Sequence, residues 1–168
     1  MAKLLQGRFS ISFSNYHQLS QPLKICDDAK SYLVTIDQFC DPENDSVTPC
    51  SLCDILHFCK TVNEQIKRNL EWPVIFCCAP SKPVLSASEI LIGSFLINQG
   101  RKPEEVGDAF HSSGLYDQLP TTDLARNIWD AIYCSRNHGW IWVDEDSDDE
   151  YMHYARYVPL LFIQIPQY

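Results

Sequence analysis

The sequence predicts an α/β fold with a mostly parallel central sheet and helices on both faces. Three observations predict it. Strand-like and helix-like segments alternate along the chain, the order that lays parallel strands side by side. The segment 74–77, Val-Ile-Phe-Cys, shows no polar alternation, as a strand covered on both faces requires. Residues 84–97 are apolar nearly all round, so the helix they form should be central and buried. The chain has 168 residues and is 45% hydrophobic, which suits one domain spanning 1–168 with one full core.

The elements follow in order. Residues 8–13 alternate Phe9, Ile11 and Phe13 with Arg8, Ser10 and Ser12, the pattern of a half-buried strand. Residues 15–30 are polar and turn-rich, and 31–36 form a second strand. After a loop at 41–46, Thr48 reads as an N-cap with Pro49 at the first helical position. Leu52, Ile55, Leu56, Cys59, Val62 and Ile66 then share one helical face, and the helix ends near Leu70. A strand at 74–77 is followed by a helix over 85–98, closed by Gly100. Gly93, in the middle of that helix, costs about 1 kcal/mol against Ala and marks a close packing contact. Pro103 starts a shorter helix with acids in its first turn. Thr121 or Thr122 caps another, with Leu124, Ile128, Ala131 and Ile132 inward and Gly139 just past its end. Residues 150–156 read as helical, 157–168 are apolar, and 151–168 together make an aromatic C-terminal tail.

The net charge is −9, and residues 144–150 supply −6 of it, leaving −3 for the remainder. The acidity is therefore local, and with no basic stripe to offset it, nucleic acid is not an expected partner. The start of the chain turns polar too soon for a secretion signal, and 84–97 is too short to span a membrane. The expectation is a protein of the cytoplasm or nucleus, without membrane attachment, whose eight cysteines are reduced.

The strand–loop–helix at 74–97 is the layout in which a cysteine phosphatase places its nucleophile, but the chemistry is missing. Such a site needs a Cys, five residues and an Arg, with backbone N–H groups cradling the phosphate. Six residues after Cys77 stands Pro83, and six after Cys78 stands Val84. Pro80 and Pro83 also remove two N–H donors. Cys77, Cys78, Lys82 and Pro83 thus mark a degenerate phosphate loop, with no catalytic residue assigned and no enzyme expected. Cys50 and Cys53, with His57 and Cys59 nearby, have two readings: a zinc site, or thiols beside a helical core stripe. The second is preferred because zinc knuckles sit in turns and no second matching pair exists, so no metal or cofactor is expected.

Asp149-Glu150-Tyr151-Met152-His153-Tyr154-Ala155-Arg156 follows the pattern Asp-Glu-Tyr-x-His-Tyr-x-Arg, with His138-Gly139 upstream. Ile90-Leu91-Ile92-Gly93 is similar to Phe-Leu-Ile-Gly, and Lys102-Pro103-Glu104-Glu105 to Thr-Pro-Glu-Glu. Cys59-Lys60-Thr61-Val62-Asn63 is similar to Cys-Lys-Leu-Asn with one residue inserted. In these motifs the chain resembles the N-terminal domain of the mitotic-exit dual-specificity protein phosphatases, the cell-division-cycle-fourteen family, over roughly residues 4–162. Those enzymes carry two phosphatase-like domains, the first of them non-catalytic. The resemblance implies a phosphatase-like layered fold, and a free-standing first half, since residues 158–162 look like the strand that leads into the catalytic domain.

The resemblance also bears on binding. In the two-domain enzymes, acids of this region help line a groove that selects basic residues. Asp149 and Glu150 correspond by motif; Asp144, Glu145, Asp146 and Asp148 correspond by position. Ser147, followed by three acids, would suit an acid-directed kinase. Trp140, Trp142, Tyr151 and Tyr154 are either ordinary core or an aromatic protein interface. The expected function is a catalytically inactive pseudophosphatase-like domain acting as a protein-interaction subunit or adaptor. Its expected partners are proteins, basic peptide segments among them, in a homo- or hetero-oligomer. The alternative is a cysteine-dependent phosphatase or thiol enzyme using Cys77 or Cys78 with an arginine supplied by a partner.

Overall fold

Five short strands and four helices carry the part of the chain that a computed structural model describes, namely residues 2–4, 9–13, 23–26, 31–40, 49–68, 74–78, 81–112 and 122–141. In order they are β1 (Ala2–Leu4), β2 (Phe9–Phe13), β3 (Leu23–Cys26) and β4 (Ser31–Thr35), then a 3-10 turn at Ile36–Gln38. There follow α1 (Leu52–Arg68), β5 (Val74–Cys78), α2 (Lys82–Asn98), α3 (Pro103–Ser112) and α4 (Asp123–Asn137). The expected α/β class holds.

The strands form one sheet in the order β1-β2-β5-β4-β3. β5 is central and parallel to both neighbours, with Phe76 registered between Ile11 and Val34. The edge strands are antiparallel to theirs. The sheet is therefore parallel at its centre and antiparallel at its edges, not mostly parallel. Connection length explains this. Only residues 5–8 separate β1 from β2, and only 27–30 separate β3 from β4. A parallel return needs a dozen residues or more. Between β4 and β5 the chain has that length and uses it for α1.

Phe76 sets the core. Its ring lies 5.1 Å from that of Phe58 on α1, and Phe58 meets Phe95 on α2 edge-on at 6.5 Å. Phe39 approaches Phe58 edge-on at 5.1 Å. Both α1 and α2 thus pack on the Phe76 face, and α3 and α4 pack against α2. Because strand side chains alternate, Cys77 points to the opposite face.

α1 begins later than expected. Its N-terminal partner is Ser51, not Thr48: the Ser51 N–H and hydroxyl donate to Asp54 Oδ2 at 2.7 and 2.6 Å, and the Asp54 N–H donates to Ser51 Oγ at 3.2 Å. This reciprocal pairing satisfies N–H groups that a helix start leaves open. α2 begins a turn earlier than expected, with Ser81 as N-cap and Pro83 in the first turn. As expected it is central: every residue from Ala87 to Ile97 is buried. Ser88 and Ser94 are satisfied inside it, their hydroxyls donating to the carbonyls of Val84 and Ile90, each at 2.6 Å. Gly100, at φ +95°, takes the left-handed conformation that ends α2, and Arg136 of α4 donates to the Ile97 carbonyl at 2.9 Å.

One close contact sets how near α4 lies to α2. The Trp129 indole fills the space where a Gly93 side chain would be, its N–H directed at the Ile90 carbonyl at 3.4 Å. A β-carbon on residue 93 would overlap that ring. Gly93→Ala should therefore lower the unfolding free energy by about 3 kcal/mol, read by urea denaturation, despite alanine's better helix propensity.

Candidate functional site

The residues read as a degenerate phosphate loop fall at the end of β5 and the start of α2. Cys77 is buried at 1% exposure, one residue from the end of β5 and paired in register with Ser12 and Thr35. Cys78 is the last residue of β5, in register with Phe13. Lys82 and Pro83 are exposed, but they belong to the first turn of α2 and not to a loop. α2 starts at Lys82, and Ser81 caps it without a side-chain hydrogen bond.

An arginine for the missing grip is not supplied by the described residues. Arg101 and Arg136 sit at the far end of α2, about 24 Å from its start along a 17-residue helix. Arg68 pairs with Glu64 on α1 at 3.4 Å. Arg126, on α4, is close enough to Glu89 to act on its charge, two turns into α2.

Two of the cysteines read as possible zinc ligands are packed away: Cys50, just before α1 and not in it, and Cys59 within α1 are both buried. Burial, with the negative charge of Asp54 and the nearby Cys40, pushes the Cys50 thiol far up, and burial alone pushes Cys59 up to about 12. Burial thus holds both as neutral thiols, which makes them poor nucleophiles. The His57 ring packs edge-on against Phe39 at 5.4 Å. Among the described residues no three His, Cys, Asp or Glu side chains converge as a metal site would need.

Of the expected protein-binding residues, the structure places Trp140. It follows α4, is 66% exposed, and lies 4.9 Å from the His138 ring at a tilt of 31°. It is the large hydrophobic residue left exposed among the described ones. Trp142, Asp144, Glu145, Asp146, Asp148, Asp149, Glu150, Tyr151 and Tyr154 lie outside the described residues, as do Ser147 and the expected helix at 150–156.

Two features of the helical layer were not read from the sequence as sites. The first is Glu89, 2% exposed within α2. Its carboxylate accepts the Thr122 N–H at 2.8 Å and the Thr122 hydroxyl at 3.3 Å. The same hydroxyl oxygen accepts the Ala125 N–H at 3.1 Å, capping α4. Thr122 is thus both the cap of α4 and the partner of a buried acid. The signal was a single acid in an apolar run, which must find donors once buried. A helix N-terminus offers them.

The second is a cleft of about 550 Å³ between α3 and α4, floored by Trp129 and Gly107. Glu104 and Asp108 line it from α3, and Arg126 and Asp130 from α4. Burial, and then the neighbouring charge of Glu104, raise the Asp130 pKa. Its residues are scattered over two helices, so no local motif could reveal it.

Compared with known proteins, the sequence matches no protein-family model and has no significant match among curated proteins.

Burial pushes the Glu89 carboxyl from 4.5 up to about 7, against the opposing pull of the Thr122 bonds and Arg126. Between those values the folded chain holds a proton that the unfolded chain has lost. Stability therefore falls as pH rises through this window and levels off above it. The wild type should lose, relative to Glu89→Gln, on the order of 2 kcal/mol between pH 5 and pH 8, measured by urea unfolding at both values.

Proposed function

We propose that this chain is a catalytically inactive, phosphatase-like domain that works as a protein-interaction subunit or adaptor. The observation that carries the reading is the start of α2 at Lys82, immediately behind a strand whose Cys77 is buried. In the sequence of that junction Pro80 and Pro83 remove two N–H donors, and no arginine stands six residues after Cys77 or Cys78, as the chemistry requires. A parallel central strand leading into a buried helix is consistent with the resemblance to the non-catalytic domain of the cell-division-cycle-fourteen phosphatases. So is the cluster of helices behind it. The layered phosphatase-like fold is part of this proposal.

Binding is assigned to the acidic segment 144–150, with its six carboxylates, and to the aromatic region that begins at Trp140. The exposed indole of Trp140 supports the aromatic half of that surface, since tryptophan is enriched where proteins meet. The proposed partner is a protein presenting basic segments, in the cytoplasm or nucleus. Among the described residues no helix is long and apolar enough to cross a membrane.

Two measurements test the reading. The purified chain should not turn over an aryl phosphate, and a low dose of an alkylating agent should label exposed Cys134 well before buried Cys59 and Cys77. Turnover abolished by Cys77→Ser or Cys78→Ser would sink the proposal in favour of the enzyme reading. Second, a Lys- and Arg-rich peptide should bind the chain in a salt-dependent way. Replacing the six acids of 144–150 by amides should weaken it at least fivefold, and Trp140→Ala should weaken capture of a folded partner. Unchanged binding in both variants would remove this surface from consideration.

A further inference from the structure

The cleft between α3 and α4 has a pattern of charge that the proposed function does not use. Its floor is apolar. Trp129 is fully buried and stacked on Phe110 at 5.6 Å, and the open space beside Gly107 leaves the cleft unfilled. Glu104 and Asp130 face each other from opposite walls, close enough for one charge to act on the other. Arg126 lines the same cleft one helical turn from Asp130, toward the start of α4. Both α4 side chains are exposed, so they are open to a ligand. Asp108 and His111 continue the α3 wall.

The spacing selects a ligand. Residues four apart on a helix are about 6 Å apart along its axis. In an extended peptide, residues two apart point to the same side and lie about 6.6 Å from each other. An extended segment with a basic residue and an acidic residue two positions apart therefore presents both charges at the spacing of Asp130 and Arg126. We propose that the α3–α4 cleft is a docking site for an extended partner segment carrying Lys or Arg and, two positions away, Asp or Glu. The basic side chain lies between Glu104 and Asp130, where two carboxylates can share one guanidinium or ammonium. The acidic side chain meets Arg126. The stems of both run past Gly107, whose missing side chain leaves them room.

This site goes beyond the acidic segment 144–150 and does not depend on it. The test uses the full chain and fluorescein-labelled ten-residue peptides, Gly-Ser throughout except for one Arg-x-Glu, Arg-x-Gln, Gln-x-Glu or Gln-x-Gln step. Fluorescence anisotropy is read at low salt, and repeated with the acids of 144–150 replaced by amides. The Arg-x-Glu peptide should bind about fivefold more tightly than either singly charged peptide, in both backgrounds. Arg126→Gln should abolish the preference for Glu over Gln and leave the preference for Arg intact. Asp130→Asn with Glu104→Gln should do the reverse. Gly107→Leu, which favours the helix but fills the cleft, should abolish binding while the chain stays folded by circular dichroism. A Glu preference that survives Arg126→Gln, or an Arg preference that survives Asp130→Asn with Glu104→Gln, would overturn the proposal. So would an Arg-x-Glu peptide that binds no better than Gln-x-Gln, or one whose binding vanishes when only 144–150 is altered.

Discussion

One indole holds the helical layer together. Trp129 projects from α4 onto Gly93 of α2, directs its N–H at the Ile90 carbonyl and stacks on Phe110 of α3. Glycine at 93 is what lets the ring reach the backbone of α2, because any side chain there would stand where the ring is. The cost of a glycine within a helix is offset by the burial of a complete tryptophan and the satisfaction of its donor. The same ring is the floor of the α3–α4 cleft. A single close approach thus fixes how three helices sit and shapes the surface they present.

Two further contacts hold α4 at its ends. Near its start, Glu89 of α2 binds Thr122, and near its close Arg136 reaches the Ile97 carbonyl. Both are polar groups placed where a helix end leaves its own groups unpaired. α4 is therefore joined to α2 near both of its own termini by hydrogen bonds and in its middle by packing. The arrangement makes α2 a spine: it lies behind the sheet through Phe95 and Phe58, and carries α4 and α3 on its outer side.

Much of this was legible in the sequence. The helices announced themselves by period and by caps: Thr122 was one of two candidates for α4, and Gly100 and Gly139 stand at positive φ just past α2 and α4. The central strands β2, β4 and β5 were visible as apolar or alternating runs. The edge strands were not. β3 is only Leu-Lys-Ile-Cys, set among Pro22, Asp27 and Asp28, and its alternation is too short to outweigh those turn signals. The helix starts were displaced for a related reason: Thr48-Pro49 is a good opening, but the Ser51–Asp54 pairing satisfies more N–H groups. The absent phosphate site could be read because its chemistry demands fixed spacing. The Glu89–Thr122 pair and the α3–α4 cleft join residues distant in the chain, and only the packing of helices brings them together.

The central place of β5 has a consequence for how the chain is assembled. β1–β2 and β3–β4 are local hairpins, each closed by a short connection. The strand that joins them is the last of the five in the chain and takes its place between β2 and β4. Until it does, β2 and β4 each show an unpaired edge, the surface by which sheets add strands from other chains. On a ribosome that interval lasts at least until residue 78 has emerged, so the N-terminal half depends on the rest of the chain arriving before a neighbouring molecule does.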